Sequence, residues 1–318
     1  MRKRNTLTKK YIRKPEKFAD LCNFVLFGGK SVVLPENLAE KDVTELSIPF
    51  GEKGSKAVEK IRDLLKSCSI KTADGITYLI IGVENQTDIH YAMAVRCMVQ
   101  DALNYASQVE TLAVKHRKNK DLRDAEFLSG MSKEDKLVPV VTITVFWNAG
   151  QWDGPRSLHE MLDVEDEELL KFVPDYRLNL VIPEEISDFS RFSTELGPVL
   201  KFWQCSNDKE KMREWLDSRT EALMLDYDSV QLLNECLNAG IKLPEEGEKI
   251  DMCKGLDGLI EEGRAEGERR GIAVGEVRGA ERMSRLMGEL LGRNMIEEAK
   301  EAAANEVVRE KYYALYNI

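Results

Sequence analysis

The chain is poor in the residues that build metal centres and covalent staples. It has three His and six Cys among 318 residues, and no two cysteines stand at CxxC spacing. Zinc sites need Cys and His at short, regular intervals, and His90, His116 and His159 offer none. The cysteines at 22, 68, 97, 205, 236 and 253 therefore read as reduced structural thiols, and a Cys-His nucleophile is disfavoured by the same spacing. Long apolar runs are missing too. The longest, Leu137 to Trp147, has 11 residues with two Thr and a Pro, short of the roughly 20 that span a bilayer. After the basic start, only Phe24-Val25-Leu26-Phe27 precedes Gly28-Gly29, too short a core for a signal peptide. The sequence reads as cytosolic, with no membrane partner. With 9 Pro and 21 Gly against 43% hydrophobic and 32% charged residues, it is neither collagen-like nor disordered, and it is long enough to bury a large core.

A net charge of -10 argues against nucleic acid as a partner, but the charge is segregated. Residues 1–17 carry eight basic side chains (Arg2, Lys3, Arg4, Lys9, Lys10, Arg13, Lys14, Lys17) against Glu16 alone, a local net charge of +7. This stretch reads as a basic N-terminal arm, either solvated or phosphate-binding.

Phe18 to Phe27 reads as a short helix stopped by Gly28-Gly29, followed by an acidic connector through Leu34-Pro35 to Pro49. Leu64 to Lys71, the turn signal Ala73-Asp74-Gly75 and the run Ile76 to Val83 predict a β-hairpin. Its second arm is apolar on both faces, as expected of a strand inside a covered sheet. Residues 88–118 carry helical periodicity through Ala102, Leu103, Tyr105, Ala106, Val109, Leu112 and Ala113. Val138 to Trp147 and Arg177 to Ile182 read as further strands, which gives a mixed α/β domain over roughly residues 15–185. Leu200 to Asn238 reads as helices with Trp203 and Trp215 in the core, and Gly247 to Gly258 as a linker. In the tail, Gly263, Gly267, Gly271, Gly275 and Gly279 recur every four residues along one helix stripe. Each costs about 1 kcal/mol relative to Ala in a helix, so the expectation is a partner-dependent helix or close packing in an oligomer.

Three polar side chains stand at the open end of the hairpin: Asp63, Glu84 and Gln86. If Asp74-Gly75 forms a two-residue turn, paired residue numbers add to 149 and Asp63 faces Gln86. One residue back they add to 147 and Asp63 faces Glu84. Cross-strand partners share a face, as do residues i and i+2, so all three side chains converge in either register. Two carboxylates this close repel unless a proton or a divalent cation lies between them. Oxygen ligands completed by water suit Mg2+, with Mn2+ as the alternative, and such a metal lowers the pKa of bound water.

Asp63, the hairpin and Glu84-Asn85-Gln86 after Tyr78-Leu79-Ile80-Ile81-Gly82-Val83 resemble the D...ExQ variant of the PD-(D/E)XK nuclease core. The continuation Asp88-Ile89-His90-Tyr91-Ala92-Met93-Ala94-Val95-Arg96 resembles the Rpn family of recombination-promoting nucleases, also described as transposases. So do Phe127-Leu128-Ser129-Gly130, the segment Lys133 to Val140, and Trp152-Asp153-Gly154-Pro155-Arg156-Ser157-Leu158-His159-Glu160. The similarity covers roughly residues 18–200.

The resemblance implies an α/β restriction-endonuclease-like core, a mixed central sheet flanked by helices, followed by a helical C-terminal region. It implies a hydrolase that cuts DNA with Mg2+, in recombination or a mobile element. Asp63 and Glu84 would be metal ligands, with Gln86 the third catalytic residue where most of the wider superfamily has Lys. An amide offers neutral hydrogen bonds where lysine offers a full charge. A further acid on the first helix is common in that superfamily, and Asp20 is best placed, with Glu16 second. Arg96 suits either a phosphate clamp or a structural salt bridge. Lys115, His116, Arg117, Lys118 and Lys120 form a basic cluster at a helix end. The expected divisions are an arm over 1–17, a nuclease-like domain over 18–200, a helical extension over 201–246, and a linker and glycine-striped tail over 247–318 through which the chain self-associates. The rival expectation is a weak or inactive nuclease fold that binds DNA or itself.

Overall fold

The hairpin forms the middle of a five-stranded sheet. The computed structural model describes residues 2–47, 58–72, 75–164, 166–219, 222–245, 248–252 and 277–318. In chain order the first elements are helices α1 (Arg2–Arg13) and α2 (Pro15–Phe27) and the strands β1 (Leu38–Glu40), β2 (Thr44–Ser47), β3 (Val58–Ile61), β4 (Leu64–Thr72) and β5 (Gly75–Gln86). β4 and β5 pair antiparallel, with Leu64 opposite Val83 and Thr72 opposite Gly75. This is the register in which paired numbers add to 147.

A long helix, α3 (Met93–Asn119), and a short one, α4 (Asp124–Ser129), lead to β6 (Val140–Phe146), which runs parallel to β5. A parallel neighbour requires a crossover, and α3 provides it. After α5 (Glu167–Leu170), strand β7 (Asn179–Val181) adds parallel to β6, giving the order β1-β4-β5-β6-β7. β5 is thus central, and Leu79 to Asn85 are all buried. On one face, Ile80 and Leu65 pack with Tyr105 of α3. On the other, the Lys66 ammonium sits 5.0 Å over the Phe18 ring of α2.

α2 starts at Pro15, a residue whose missing N–H costs nothing at a first helical position. It ends where Gly28 adopts a φ of 66°, as the glycine pair predicts. Three expectations need correction. The stretch from Leu34 to Pro49 is not a plain connector, because β1 pairs with Lys66 to Cys68 and β2 pairs with β3. Strands of three and four residues are too short to display alternation. Residues 2–13 are a helix rather than an arm: Tyr11 and Ile12 are buried, and Lys10 and Lys14 pair with Asp228. Within the expected linker, β9 (Lys249–Asp251) pairs antiparallel with β8 (Met224–Asp226).

The helical part of this unit comprises α6 (Leu196–Cys205), α7 (Lys209–Asp217) and α8 (Tyr227–Leu237). Trp203 is buried against Trp147, and Trp215 packs edge-on against Phe202. α1 packs on α8, where the Tyr11 hydroxyl lies 3.0 Å from Ser229 Oγ. Residues 1–17 and 201–246 therefore belong to one compact unit, Met1–Cys253. The second unit, Lys254–Ile318, contains α9 (helical residues 277–292), α10 (Ile296–Ala304) and α11 (Glu306–Tyr316). Its core is Leu286, Leu290, Ala299, Ala302 and Tyr313. Gly263, Gly267, Gly271 and Gly275 lie outside the described residues, and a Cβ at Gly279 meets nothing within 4 Å. Among the described residues, no helix is long and apolar enough to cross a membrane.

Candidate functional site

The observed register continues past Leu64 and Val83 to set Asp63 beside Glu84. The Asp63 N–H donates to Glu84 Oε1 at 3.3 Å, and the Asn85 N–H donates to Asp63 Oδ2 at 2.8 Å. Glu84 is completely buried. Arg96 and Gln100, one turn apart on α3, reach it from the covering helix. Arg96 Nη2 donates to Oε2 at 2.8 Å and Gln100 Nε2 to Oε1 at 3.1 Å. Burial pushes the Glu84 carboxyl above its usual range, the Asp63 charge pushes the same way, and Arg96 opposes both. Of the two roles that suit Arg96, the structure displays the salt bridge, with its side chain still 35% exposed.

Gln86 lies two residues beyond Glu84 on the same face, partly buried. Its carbonyl accepts the Trp147 N–H at 2.7 Å, while among the described residues no hydrogen bond ties its amide to Asp63 or Glu84. Asp20 is committed elsewhere. Its Oδ1 accepts from Ser193 N and Oγ and its Oδ2 from Thr194 N and Oγ1, at 2.6 to 3.0 Å, so both oxygens clamp the turn before α6. Glu16 is exposed at the start of α2. In the basic cluster, His116 is held by Asp121 at 2.8 Å and Asp135 at 2.9 Å, which fixes the C-terminal end of α3. Trp152 is buried in a cluster with Phe146 and Met93.

Beside the two acids lies a second buried set that the sequence reading missed. Arg62 is fully buried, and its guanidinium donates to Asp101 Oδ1 at 2.7 Å and to Thr142 Oγ1 at 2.5 Å. Thr142 Oγ1 and Tyr176 OH donate to the same carboxylate at 2.6 and 2.5 Å. Burial, and then the Asp101 charge, raise the Tyr176 phenol well above its usual range. The guanidinium passes over β5 at Gly82, where a Cβ would stand 2.5 Å from Arg62 Nη1. A glycine inside the apolar run Tyr78 to Val83 was the available signal, since strand glycines mark close approach.

The site opens beside Asp63. A cleft of about 270 Å³ is lined by Lys9 and Arg13 of α1, by residues 40–43 and by residues 63–66. Asp63 and Glu84 supply two adjacent carboxylates, and among the described residues no third His, Cys, Asp or Glu joins them in a metal-binding group. Two carboxylates with waters and substrate oxygens are the usual protein share of a Mg2+ site; here both oxygens of the buried Glu84 already accept hydrogen bonds. No family model, curated protein or solved structure matches the chain.

Proposed function

We propose that the protein is a Mg2+-dependent DNA endonuclease of the PD-(D/E)XK type, cytosolic and acting on the phosphodiester bond. The observation that carries this reading is the direct contact of Asp63 and Glu84 across the hairpin, beside an open cleft. In this reading Asp63 and Glu84 hold Mg2+, with Mn2+ as a substitute. The ion supplies an activated water and neutralises charge on the phosphate. Gln86 offers neutral hydrogen bonds at the same edge. Arg96 donates to the buried Glu84 and opposes the effect of burial on its carboxyl, while its side chain stays 35% exposed. The resemblance to Rpn nucleases over residues 18–200 adds recombination or a mobile element as the setting.

A second reading, a nuclease fold that binds DNA or itself without cutting, is favoured by one feature. Glu84 already accepts from three donors, so a cation must compete with Arg96 for it. Self-association through the second unit belongs to this reading.

Nicking of supercoiled plasmid with Mg2+, Mn2+ or EDTA separates the two. The endonuclease reading expects metal-dependent nicks that fall to background in both Asp63→Ala and Glu84→Ala. Wild-type rates in Asp63→Ala would remove the assignment, and DNA binding without nicks in any metal would leave the second reading.

A further inference from the structure

Four basic residues of the N-terminal stretch have acidic partners. Lys10 and Lys14 pair with Asp228, Lys17 with Glu195, and Arg13 with Glu40. Lys9 is different. It lies one helical turn before Arg13 on the same face of α1 and lines the cleft at Asp63. Among the described residues its ammonium has no ion-pair or hydrogen-bond partner, and neither has that of Lys41 on another wall of the cleft. The remaining cation there, Lys66, is buried, bonded to the Arg13 carbonyl at 2.6 Å and 3.7 Å from Glu40.

The cleft sets four cations against three carboxylates, Glu40, Asp42 and Asp63; Arg13 and Lys66 are engaged by Glu40, which leaves Lys9 and Lys41 as the cations for an anion beside the Asp63 that the endonuclease reading places at the scissile bond. The cleft's volume of about 270 Å³ is at the small end of ligand clefts, room for a stretch of phosphate backbone rather than a dinucleotide cofactor. We propose that this cleft seats the DNA backbone, with Lys9 and Lys41 each contacting a phosphate adjacent to the one at Asp63. The proposal rests on DNA being the substrate, and it assigns α1 to substrate binding through Lys9, while Lys10 and Arg13 pair with acids of the fold.

The test is the salt dependence of binding of a short labelled DNA duplex to the full chain, read by fluorescence anisotropy in EDTA. Each phosphate contact contributes about 0.9 to the slope of log affinity against log salt, so K9Q/K41Q is expected to lower that slope by about 2 and weaken low-salt binding about tenfold or more. K9R/K41R keeps the charge and should bind as wild type. K171Q/K211Q neutralises two exposed lysines away from the cleft, each paired three residues back, and should leave the slope unchanged. An unchanged slope in K9Q/K41Q, an equal fall in the control, or no DNA binding by the wild-type chain would each overturn the proposal. The plasmid assay on the same proteins separates the two readings. A wild-type chain that cuts, with a double variant that binds normally, leaves the nuclease and removes the cleft. A chain that binds through Lys9 and Lys41 but never cuts does the reverse.

Discussion

On the α3 face of the central hairpin the buried groups include Arg62, Asp101, Thr142 and Glu84 beside Leu65 and Ile80; on the α2 face they include Phe18, Leu21, Cys22, Ile81 and Val83, with Lys66 over the Phe18 ring. The apolar residues gain their stability from area removed from water, at about 25 cal/mol per Å². The polar face buries charges, which is expensive unless every charge is partnered, and replacing a buried pair by hydrocarbon is often neutral or stabilising. A fold selected for stability alone has little reason to keep such a face. The polar set lies beside the contact between Asp63 and Glu84.

The largest test of that contrast is Asp101→Ala. It strands a fully buried guanidinium, and the expected loss is about 3–5 kcal/mol in urea unfolding, whereas R62M/D101L should recover most of it. A double variant as unstable as the single one would mean that packing, and not charge, sets the cost. Next is Glu195, on the other side of the sheet. Burial alone would raise its carboxyl, but hydrogen bonds from Lys17 and Lys249 bring it down to about 2. A depressed carboxylate stabilises the fold above its unfolded value of about 4.3 and loses that contribution as the pH falls toward 2. Wild type should exceed Glu195→Gln by about 2–3 kcal/mol near neutrality and match it near pH 2. Glu84 carries the opposite sign. Its carboxyl is raised, so the folded state binds the extra proton and wild type loses stability relative to Glu84→Gln as the pH rises through and beyond the unfolded range. The loss is about 1.4 kcal/mol for each unit by which the folded value exceeds the unfolded one. A gap between the two proteins that does not change with pH would mean that Arg96 fully offsets burial.

The hairpin was legible because a β-compatible first arm, an Asp-Gly turn signal and a doubly apolar second arm are all local. The residue numbers left two registers open, and the structure adopts the one that joins Asp63 to Glu84. What the sequence hid was set by distant partners. Asp20 is clamped by Ser193 and Thr194, 173 and 174 positions away, and Arg62 finds Asp101 39 positions on. Nothing in the neighbourhood of Asp20 distinguishes a clamp from a metal ligand. α1 was obscured for a similar reason: its charges suggest a solvated arm until the acids of α8 and β1 are brought beside it.

The bond between Tyr11 and Ser229 joins positions 218 residues apart. At about 5–20 residues per second of synthesis, α1 leaves the ribosome roughly ten to forty seconds before α8 exists. The hairpin, made of neighbours in sequence, can form long before then. Unit 1 is therefore closed by its own beginning: α1 can settle on α2 and β5 early, but its contact with α8 and the pairing of Lys10 with Asp228 wait for most of translation.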